Sequence, residues 1–572
     1  MKFMLTRLSP YKWRMLMGLC VKIAATVAEL FLPVILSYIL DVVILKESVG
    51  LVLAWGALML LCALAACVLN IIANRMAAYV SMLFSRGLRR ELFERTMTLS
   101  AADTDAFTIP SLESRITTDT YNVHHFVLMM QRMGVRAPIL LIGGLSISFI
   151  MDAYLSLVML ATFPLIFLIV YLISRRGIPL YTRVQRSVDK MVGIVREDTQ
   201  GVRVIKALSK NDYENRRFEE ANVALSKNER TAGTVMSIPN PTMTLLMNLG
   251  IAGVVALSAT RISNGQSSAA TVIAFMQYFT LISMAMMALS RMFVMFTKSA
   301  ASANRIAEVI ETPERFAILD GDGENDSAPH VEFRNVSFSY LGKKNNVENI
   351  SFSVKRGGSL GIIGATGSGK STLTRLLMRF YDVGDGDILI SGKSIRAYQP
   401  NELKAKFGVA MQQDFLYSDT IEENIDFGRA LPHEKIERAA KIAQAHDFIT
   451  EGEGGYERLL SPKGTNLSGG QRQRLLIARA IAGEPEILIL DDSSSALDYK
   501  TDAALRTALS RELSGTTLIT VAQRVSSIKS CDLIIVLDEG RIIGCGTHEH
   551  LLAACPEYKE ISDSQMGGAF VE

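Results

Sequence analysis

Residues 360–372 read Leu-Gly-Ile-Ile-Gly-Ala-Thr-Gly-Ser-Gly-Lys-Ser-Thr, and this stretch decides the fold of the C-terminal part of the chain. The short apolar run at its start is typical of a buried strand, and Gly364–Thr372 fits the pattern G-x-x-x-x-G-K-[ST]. Glycines let backbone N–H groups approach phosphate oxygens, and the N-terminus of the following helix favours negative charge. We therefore predict a strand–loop–helix unit that binds nucleotide phosphates.

Several side chains of this loop receive specific roles. Lys370 is expected to contact the β- and γ-phosphates, and the Ser371 hydroxyl is expected to coordinate Mg²⁺. The residues predicted to bind the phosphates are Gly364, Thr366, Gly367, Ser368, Gly369, Lys370, Ser371 and Thr372.

A second apolar run, Ile487–Asp491, ends in a carboxylate. Nucleotide-binding folds place such an acid on Mg²⁺ or on its bound water. The run is a common pattern by itself, but it lies downstream of the phosphate loop, so Asp491 is predicted to belong to the same site. ATP and Mg²⁺ are the expected cofactors.

The N-terminal half has a different character. A membrane span needs about 20 mostly apolar residues, and hydrophobic residues make up 49% of the chain. We predict six spans, near 15–45, 51–80, 130–151, 154–174, 233–261 and 267–297. Short connections alternate with two long polar loops rich in Arg and Lys, so the positive-inside rule places both loops and both termini in the cytoplasm.

The two long loops are predicted to be helical, each with a break where a short crossing helix fits, near Thr108–Leu112 and near Asn211–Tyr213. Four cationic residues lie close to the apolar spans: Arg132, Arg136, Arg291 and Lys298. We interpret them as residues of helix extensions or of the membrane interface, where a long side chain can reach water.

Composition excludes other classes of protein. The net charge is only +3, and no basic stripe indicates nucleic-acid binding. The six cysteines show no metal-ligand spacing, so reduced thiols are expected.

The run Leu467-Ser468-Gly469-Gly470-Gln471 supplies a specific resemblance. With the phosphate loop, Asp491 and the six apolar spans, it makes the chain resemble an ATP-binding cassette (ABC) exporter half-transporter over essentially its whole length. The resemblance implies a multidomain membrane protein. A six-helix α-helical transmembrane domain with long cytoplasmic helices (1–310) is joined by a linker (311–330) to an α/β P-loop ABC nucleotide-binding domain (331–572).

In that family two nucleotide domains pair head to tail, and each ATP lies between one chain's phosphate loop and the other chain's signature run. The resemblance assigns adenine stacking to Tyr340 and sensing of Mg²⁺ and γ-phosphate to Gln412. The neighbouring Gln413 is an alternative, but the run Leu416–Ile421 favours Gln412. Asp498 matches the loop that links the two ATP sites across the dimer. The implied metal ligands are Ser371, Gln412 and Asp491.

Two positions depart from the family pattern. Asp492 stands where a glutamate acts as the general base, and Gln523 stands where a histidine acts as the switch. Aspartate is one methylene shorter, and misplacement by about 1 Å can cost on the order of 100-fold in rate. Glutamine can donate a hydrogen bond but cannot carry the positive charge. This pair resembles the degenerate site of heterodimeric bacterial multidrug-type exporters.

The expected function is ATP-dependent export of a hydrophobic or amphipathic drug, lipid or peptide across the cytoplasmic membrane. The expected partner is a homologous half-transporter with a competent glutamate and histidine. Two alternatives stay open: an ATP-sensing regulatory membrane protein, and a homodimeric exporter with two slow sites.

Overall fold

The computed structural model describes residues 2–313, 316, 318–320, 323–340, 342–412 and 415–566. The chain packs as two compact units, Met1–Thr98 with Thr108–Thr312, and Leu99–Phe107 with Pro313–Glu572. The short segment Leu99–Phe107 therefore packs with the C-terminal unit. The predicted domain boundaries stay predictions, and residues 314, 315, 317, 321 and 322 of the predicted linker lie outside the described residues.

In its described part, the first unit contains helices and connecting turns and has no strand. Its α-helices are Lys2–Leu8, Lys12–Tyr38, Val49–Thr98, Ile109–Ser114, Thr120–Met151, Ala153–Ala207, Asn211–Ser237, Pro239–Ser263 and Ala269–Ile310. Six helical segments of the described chain are long and apolar enough to cross a membrane: Phe3–Lys46, Val49–Thr98, Ile109–Met151, Ala153–Ala207, Asn211–Ser263 and Ala269–Leu289. The prediction of six spans with long helical extensions is confirmed.

Apolar side chains from several of these helices form the core of the unit. Phe275, Tyr278 and Ile282 follow one face of the last long helix and are fully buried. The Tyr278 hydroxyl donates a 2.6 Å hydrogen bond to the backbone oxygen of Leu30, so its one polar atom is satisfied inside the core. Gly144 lies where an added Cβ would be 3.1 Å from Ile282, which explains a small residue at this helix crossing.

Both helical breaks exist, but only one holds a short helix. The helix Ala101–Phe107 is followed by Thr108, whose φ of 64° breaks the helical backbone just before the short helix Ile109–Ser114. In the second loop a turn at Leu208–Lys210, with Ser209 at φ 51°, joins two long helices, and the second helix starts directly at Asn211. The structure therefore places the second reversal in a tight turn, without a separate helix.

The C-terminal unit contains two sheets. Its strands are β1 Val331–Phe338, β2 Val347–Val354, β3 Ser359–Gly364, β4 Asp385–Ile390, β5 Lys393–Ser394, β6 Phe407–Ala410, β7 Ile487–Asp491, β8 Thr517–Val521, β9 Leu533–Asp538 and β10 Arg541–Gly546. One sheet is antiparallel with the order β2-β1-β4-β5, and the other has the order β10-β9-β3-β8-β7-β6. In the second sheet only the β9–β10 pairing is antiparallel.

The helices of this unit cover the sheets and carry several of the functional residues. They are Ala101–Phe107, Lys370–Leu377, Pro400–Ala405, Ile421–Asp426, His433–Ile442, His446–Thr450, Gly469–Ala482, Tyr499–Glu512, Val525–Ile528, His548–Ala554 and Pro556–Met566. The α/β architecture predicted from the phosphate loop and the apolar strands is confirmed.

The order of the parallel strands positions the site. β3, β8, β7 and β6 are neighbours, so their carboxyl ends meet at one edge of the sheet. The residue pairs Ile362–Val521 and Asp491–Val521 lie side by side in register. Open parallel sheets bind ligands at this edge. The chain segments that follow these four strands carry the phosphate loop, Gln523, Asp492 and Gln412.

Candidate nucleotide site

The phosphate loop has glycines at positions where a larger residue would strain the backbone or collide with a neighbouring strand. Gly367 and Gly369 have φ angles of 86° and 99°, in the left-handed region that glycine adopts without strain. At Gly364 an added Cβ would lie 2.1 Å from the backbone oxygen of Leu537. These glycines allow the loop to turn tightly from β3 into the helix Lys370–Leu377, which directs free N–H groups towards the loop.

The loop and its helix fit a phosphate group. Lys370 lies at the first position of the helix, and its Nζ donates to the backbone oxygens of Gly364 and Ala365, both at 2.8 Å. The ammonium group therefore lies over the loop, among the N–H groups that would bind phosphate oxygens. The Ser368 hydroxyl is buried without a protein hydrogen-bond partner among the described residues, so the loop keeps unsatisfied polar capacity.

The predicted metal ligands meet beside this loop. The Ser371 hydroxyl donates a 3.2 Å hydrogen bond to Oδ1 of Asp491, which is 7% exposed at the end of β7. The described residues contain no group of three or more His, Cys, Asp or Glu side chains suited to a metal ion. A hydroxyl and one carboxylate fit Mg²⁺, which keeps several waters and takes phosphate oxygens as ligands.

The two altered positions contact each other. Oδ2 of Asp492 accepts a 3.1 Å hydrogen bond from Nε2 of Gln412 and a 2.9 Å hydrogen bond from Nε2 of Gln523. A carboxylate only accepts, so its contacts fix the donor orientation of both amides. Asp492 also has a φ of 50°, which is uncommon for a residue other than glycine. One carboxylate oxygen thus holds two of the residues predicted to sense the γ-phosphate.

Burial governs the electrostatics of this edge. Burial raises the pKa of Asp491, and the hydrogen bond from Ser371 opposes that increase. Burial also raises the pKa of Asp492, against the amide of Gln412 and the charge of Lys370. The pKa of Lys370 is lowered by burial, whereas the two carboxylates act to raise it. A cation and two acids therefore share a partly dehydrated region, where electrostatic interactions are stronger than in water.

A cavity of about 270 Å³ lies at this edge of the sheet. The predicted site residues that line it are Thr366, Gly367, Gly369, Lys370, Ser371, Thr372, Gln412, Asp491, Asp492 and Gln523. The structure therefore brings together the phosphate loop, both acids and both glutamines. Gln413, the alternative to Gln412, lies outside the described residues.

Tyr340 lies next to the cavity but does not line it in the described part of the chain. Its hydroxyl is 3.4 Å from the Thr372 hydroxyl and 3.5 Å from a guanidinium nitrogen of Arg375. Its ring meets the ring of Tyr381 edge to face, with centroids 5.0 Å apart. The Tyr381 hydroxyl in turn donates a 2.5 Å hydrogen bond to Asp105, in the short helix that packs with this unit.

The signature run is placed away from this cavity. Ser468 caps the helix Gly469–Ala482 in a reciprocal arrangement, because its hydroxyl accepts from the Gln471 backbone and its own N–H donates to the Gln471 side chain. None of Leu467, Ser468, Gly469, Gly470 or Gln471 is among the described residues that line the cavity. Asp498 is likewise outside it and caps the helix Tyr499–Glu512 through a 2.9 Å bond from the Thr501 backbone.

Two polar residues line the site or support it, but no sequence motif identifies them. Asn346 lines the cavity, and its side chain accepts a 3.0 Å hydrogen bond from the backbone N–H of Tyr340. Gln565, in the last helix, accepts a 2.8 Å bond from the Val525 backbone and donates a 2.8 Å bond to the Gln523 backbone oxygen. Both are single polar residues in segments whose position depends on tertiary packing.

Known proteins share this organisation. Residues 15–286 match the family described as ABC transporter transmembrane region, and residues 347–495 match the family described as ABC transporter. An uncharacterized ABC transporter ATP-binding protein of Mycobacterium tuberculosis is 34% identical over 581 residues, covering 98% of this chain and 97% of that protein. The uncharacterized ABC transporter ATP-binding protein YfiB of Bacillus subtilis is 34% identical over 565 residues, with 98% of each chain covered.

A solved structure gives the same fold. A bacterial Atm1-family ABC exporter with ATP bound has a TM-score of 0.81 and 24% sequence identity, covering 99% of this chain and 98% of that chain. The chain therefore belongs to the ABC transporter family. In particular, it is a multi-pass half-transporter with the fold of an ABC exporter, and its membrane region and transport-coupled ATPase domain are fused in one chain.

Proposed function

We propose that this chain is one half of a heterodimeric exporter that moves a hydrophobic or amphipathic substrate out across the cytoplasmic membrane. Both termini and the ATPase domain are cytoplasmic in this proposal, as the distribution of Arg and Lys in the loops indicates. The partner is a homologous chain with glutamate and histidine at the positions of Asp492 and Gln523. ATP binding closes the paired ATPase domains, and hydrolysis reopens them.

The contact of Gln412 and Gln523 with one oxygen of Asp492 carries the proposal. A general base must take a proton from the attacking water, and hydrogen bonds to a carboxylate favour its charged form over its protonated form. Burial raises the pKa of Asp492, but both amides bind the same carboxylate oxygen, so an attacking water would have to displace a donor from that oxygen. The neutral glutamine at 523 adds no positive charge for the γ-phosphate.

The binding elements do not share this weakness. Lys370 lies over the phosphate loop, and Ser371 contacts Asp491 as expected for a pair that holds Mg²⁺ together with nucleotide oxygens. ATP supplies the bond that is hydrolysed, while the residues of this chain bind and orient it. Retained binding with weakened proton transfer supports a site that holds ATP longer than it hydrolyses it.

The signature run supports a role in the partner's site. Ser468 and the first turn of its helix form a regular cap, so the N-terminal N–H groups of that helix are ordered for an anion. These residues do not line this chain's own cavity in the described structure. When two chains pair head to tail, the signature run of this chain contacts the ATP that is bound to the partner's phosphate loop. The partner's signature run in turn contacts the ATP at this chain's phosphate loop.

The test compares ATP turnover by the purified chain alone with turnover by the chain and its homologous partner. We expect slow turnover by the isolated chain, fast turnover by the pair, and ATP-dependent substrate accumulation in inverted vesicles. Fast turnover by the chain alone would support the homodimeric alternative. Turnover by the pair without accumulation of any substrate would support the ATP-sensing alternative.

A further inference from the structure

Three cations from two helices of the membrane unit, Lys22, Arg132 and Arg136, lie close together, and one of them pairs with a carboxylate. Nζ of Lys22 is 2.7 Å from the Asn70 side-chain oxygen and 3.2 Å from that of Asn74, and Lys22 is only 4% exposed. Arg136 binds Glu29 through two hydrogen bonds of 2.5 and 3.2 Å. Arg132 and Arg136 both lie close enough to Lys22 to act electrostatically on its charge.

The positive charge of this cluster exceeds its negative charge. Arg132 donates a 3.3 Å bond to the backbone oxygen of Asn74, but its Nε is buried with no hydrogen-bond partner in the described part of the chain. Arg291 has no hydrogen-bond or ion-pair partner among the described residues. Glu29 pairs with Arg136 and acts on the charge of Lys22, so among the described residues the cluster has more cations than this carboxylate compensates. Charges within or beside an apolar bundle are costly without a partner, and they commonly mark a substrate pathway.

An apolar cavity opens beside two of these cations. The cavity has a volume of about 260 Å³, and Arg136 and Arg291 are its charged lining residues. Its other walls are apolar side chains, such as Met133, Leu140 and Leu281. The sequence alone suggested that these arginines reach water at the membrane interface. The structure adds that both of them line a cavity between two helices.

The cluster lies towards one side of the membrane. At 1.5 Å per residue, Arg291 is about 33 Å along its helix from Ala269, and Arg132 is about 28 Å from the helix end at Met151. Both helix ends adjoin the short connections that the proposed topology places outside. With a hydrocarbon core of about 30 Å, the cations lie at or near the cytoplasmic interface, where a molecule from the inner leaflet would enter.

We propose that the exported substrate is an anionic amphiphile, with a carboxylate or phosphate head at Arg136 and Arg291 and its apolar body against the methionine and leucine side chains. The guanidinium fork matches either oxyanion, and the apolar walls match an acyl or ring system. This substrate class rests on the proposed export function. A neutral drug or a cationic amphiphile would leave the uncompensated cations unpaired.

The test uses three fluorescent dodecyl amphiphiles that differ only in a carboxylate, a neutral amide or a trimethylammonium head. Binding to the purified full-length chain in nanodiscs is measured first. We expect the carboxylate probe to bind on the order of tenfold more tightly than the other two, because of one charge-assisted contact. Arg291→Gln should remove that preference, Arg291→Lys should keep most of it, and Lys298→Ala should leave it unchanged.

Equal binding of the three probes, or a preference that survives Arg291→Gln, would overturn the substrate class. The double variant Glu29→Gln/Arg136→Gln removes the second cation without leaving a lone carboxylate, so it tests Arg136 with less risk of misfolding. ATP-driven movement by the chain with its partner is measured next. Export of the neutral or cationic probe alone would overturn the anionic class but not export, whereas selective binding with no movement of any probe would overturn export but not the site.

Discussion

The nucleotide site has a phosphate-binding half and a proposed hydrolytic half. The first has the residues that its chemistry requires, whereas the second departs from the family pattern at two positions. The phosphate loop is complete: its glycines take up left-handed backbone angles, Lys370 lies over the loop, and Ser371 contacts Asp491. On the proposed hydrolytic side, Asp492 and Gln523 stand where the resemblance implies a glutamate and a histidine, and they bind each other. We therefore expect holding ATP and hydrolysing it to be separable tasks within one cavity, because they would depend on different side chains.

The largest effect is expected from a variant that tests whether the signature run of this chain contacts the partner's ATP. Gly469→Asp places a carboxylate at the first helical position, where the γ-phosphate of the partner's ATP is expected to bind. Repulsion at that position should lower ATP turnover by the pair on the order of 100-fold, as for other losses of transition-state stabilisation. Steady-state phosphate release measures it.

Gly469→Ala is the matched control for this variant. An added Cβ would lie 3.6 Å from the Cβ of Ala496, an ordinary contact, so the alanine variant should retain most of the turnover. An acidic residue also favours the first turn of a helix, so Gly469→Asp should not unfold it. Unchanged turnover in the aspartate variant would mean that the signature does not face a hydrolysed ATP.

The second prediction concerns the hydrolytic half itself. Asp492→Glu with Gln523→His restores a longer base and a cationic switch, and it removes the Gln523 amide that now binds Asp492. We expect turnover at this chain's own site to rise by up to about 100-fold, within the range that a positioned general base contributes. This turnover is measured in the pair after the partner's general-base glutamate has been replaced by glutamine, so that hydrolysis at the partner's site does not contribute.

Each single change is the control for the double variant. Asp492→Glu alone should give a smaller gain, because the neutral Gln523 still contributes no charge to the γ-phosphate. If the double variant hydrolyses ATP no faster than the unmodified chain, the weakness of the site does not come from these two positions.

The contiguous half of the site was predictable from sequence, and the other half was only partly so. Gly364–Thr372 is one uninterrupted segment, so its spacing alone defines its geometry. The meeting of Gln412, Asp492 and Gln523 depends on the strand order β3-β8-β7-β6, which no local pattern encodes. Each of the three residues was predicted separately by resemblance, but their hydrogen bonds to one another were not.

The membrane unit shows the same limit. Hydropathy predicts six spans because the length and apolar character of a span are local properties. Hydropathy does not show which face of a helix carries Arg136, nor that its partner Glu29 comes from another helix. The interpretation of the cations as interfacial stays a prediction, and it does not by itself reveal the ion pair or the cavity.

The third prediction sharpens the binding half. Lys370→Ala removes the cation from the phosphate loop, and one charge-assisted hydrogen bond contributes about 2 kcal/mol. We expect ATP affinity at this site to fall about 30-fold. Binding of a fluorescent ATP analogue to the purified chain, without a partner, measures it.

Lys529→Ala is a suitable control, since Lys529 is exposed and does not line the cavity in the described structure. The combination Asp492→Glu/Gln523→His should leave ATP affinity close to that of the unmodified chain. A loss of affinity in that variant as large as in Lys370→Ala would contradict the separation of binding from hydrolysis.

The smallest expected effect concerns the support of the switch position. The side chain of Gln565 accepts from the Val525 backbone and donates to the Gln523 backbone oxygen, so the last helix holds the segment that carries the switch. Gln565→Ala removes both bonds, each contributing about 1 kcal/mol. We expect the Val525 amide to exchange its hydrogen about fivefold faster, as measured by hydrogen–deuterium exchange. Gln565→Glu retains an acceptor for Val525 but cannot donate to Gln523, so it should preserve protection at Val525 while loosening the Gln523 backbone. Equal exchange in all three proteins would show that the last helix does not restrain the segment that carries Gln523.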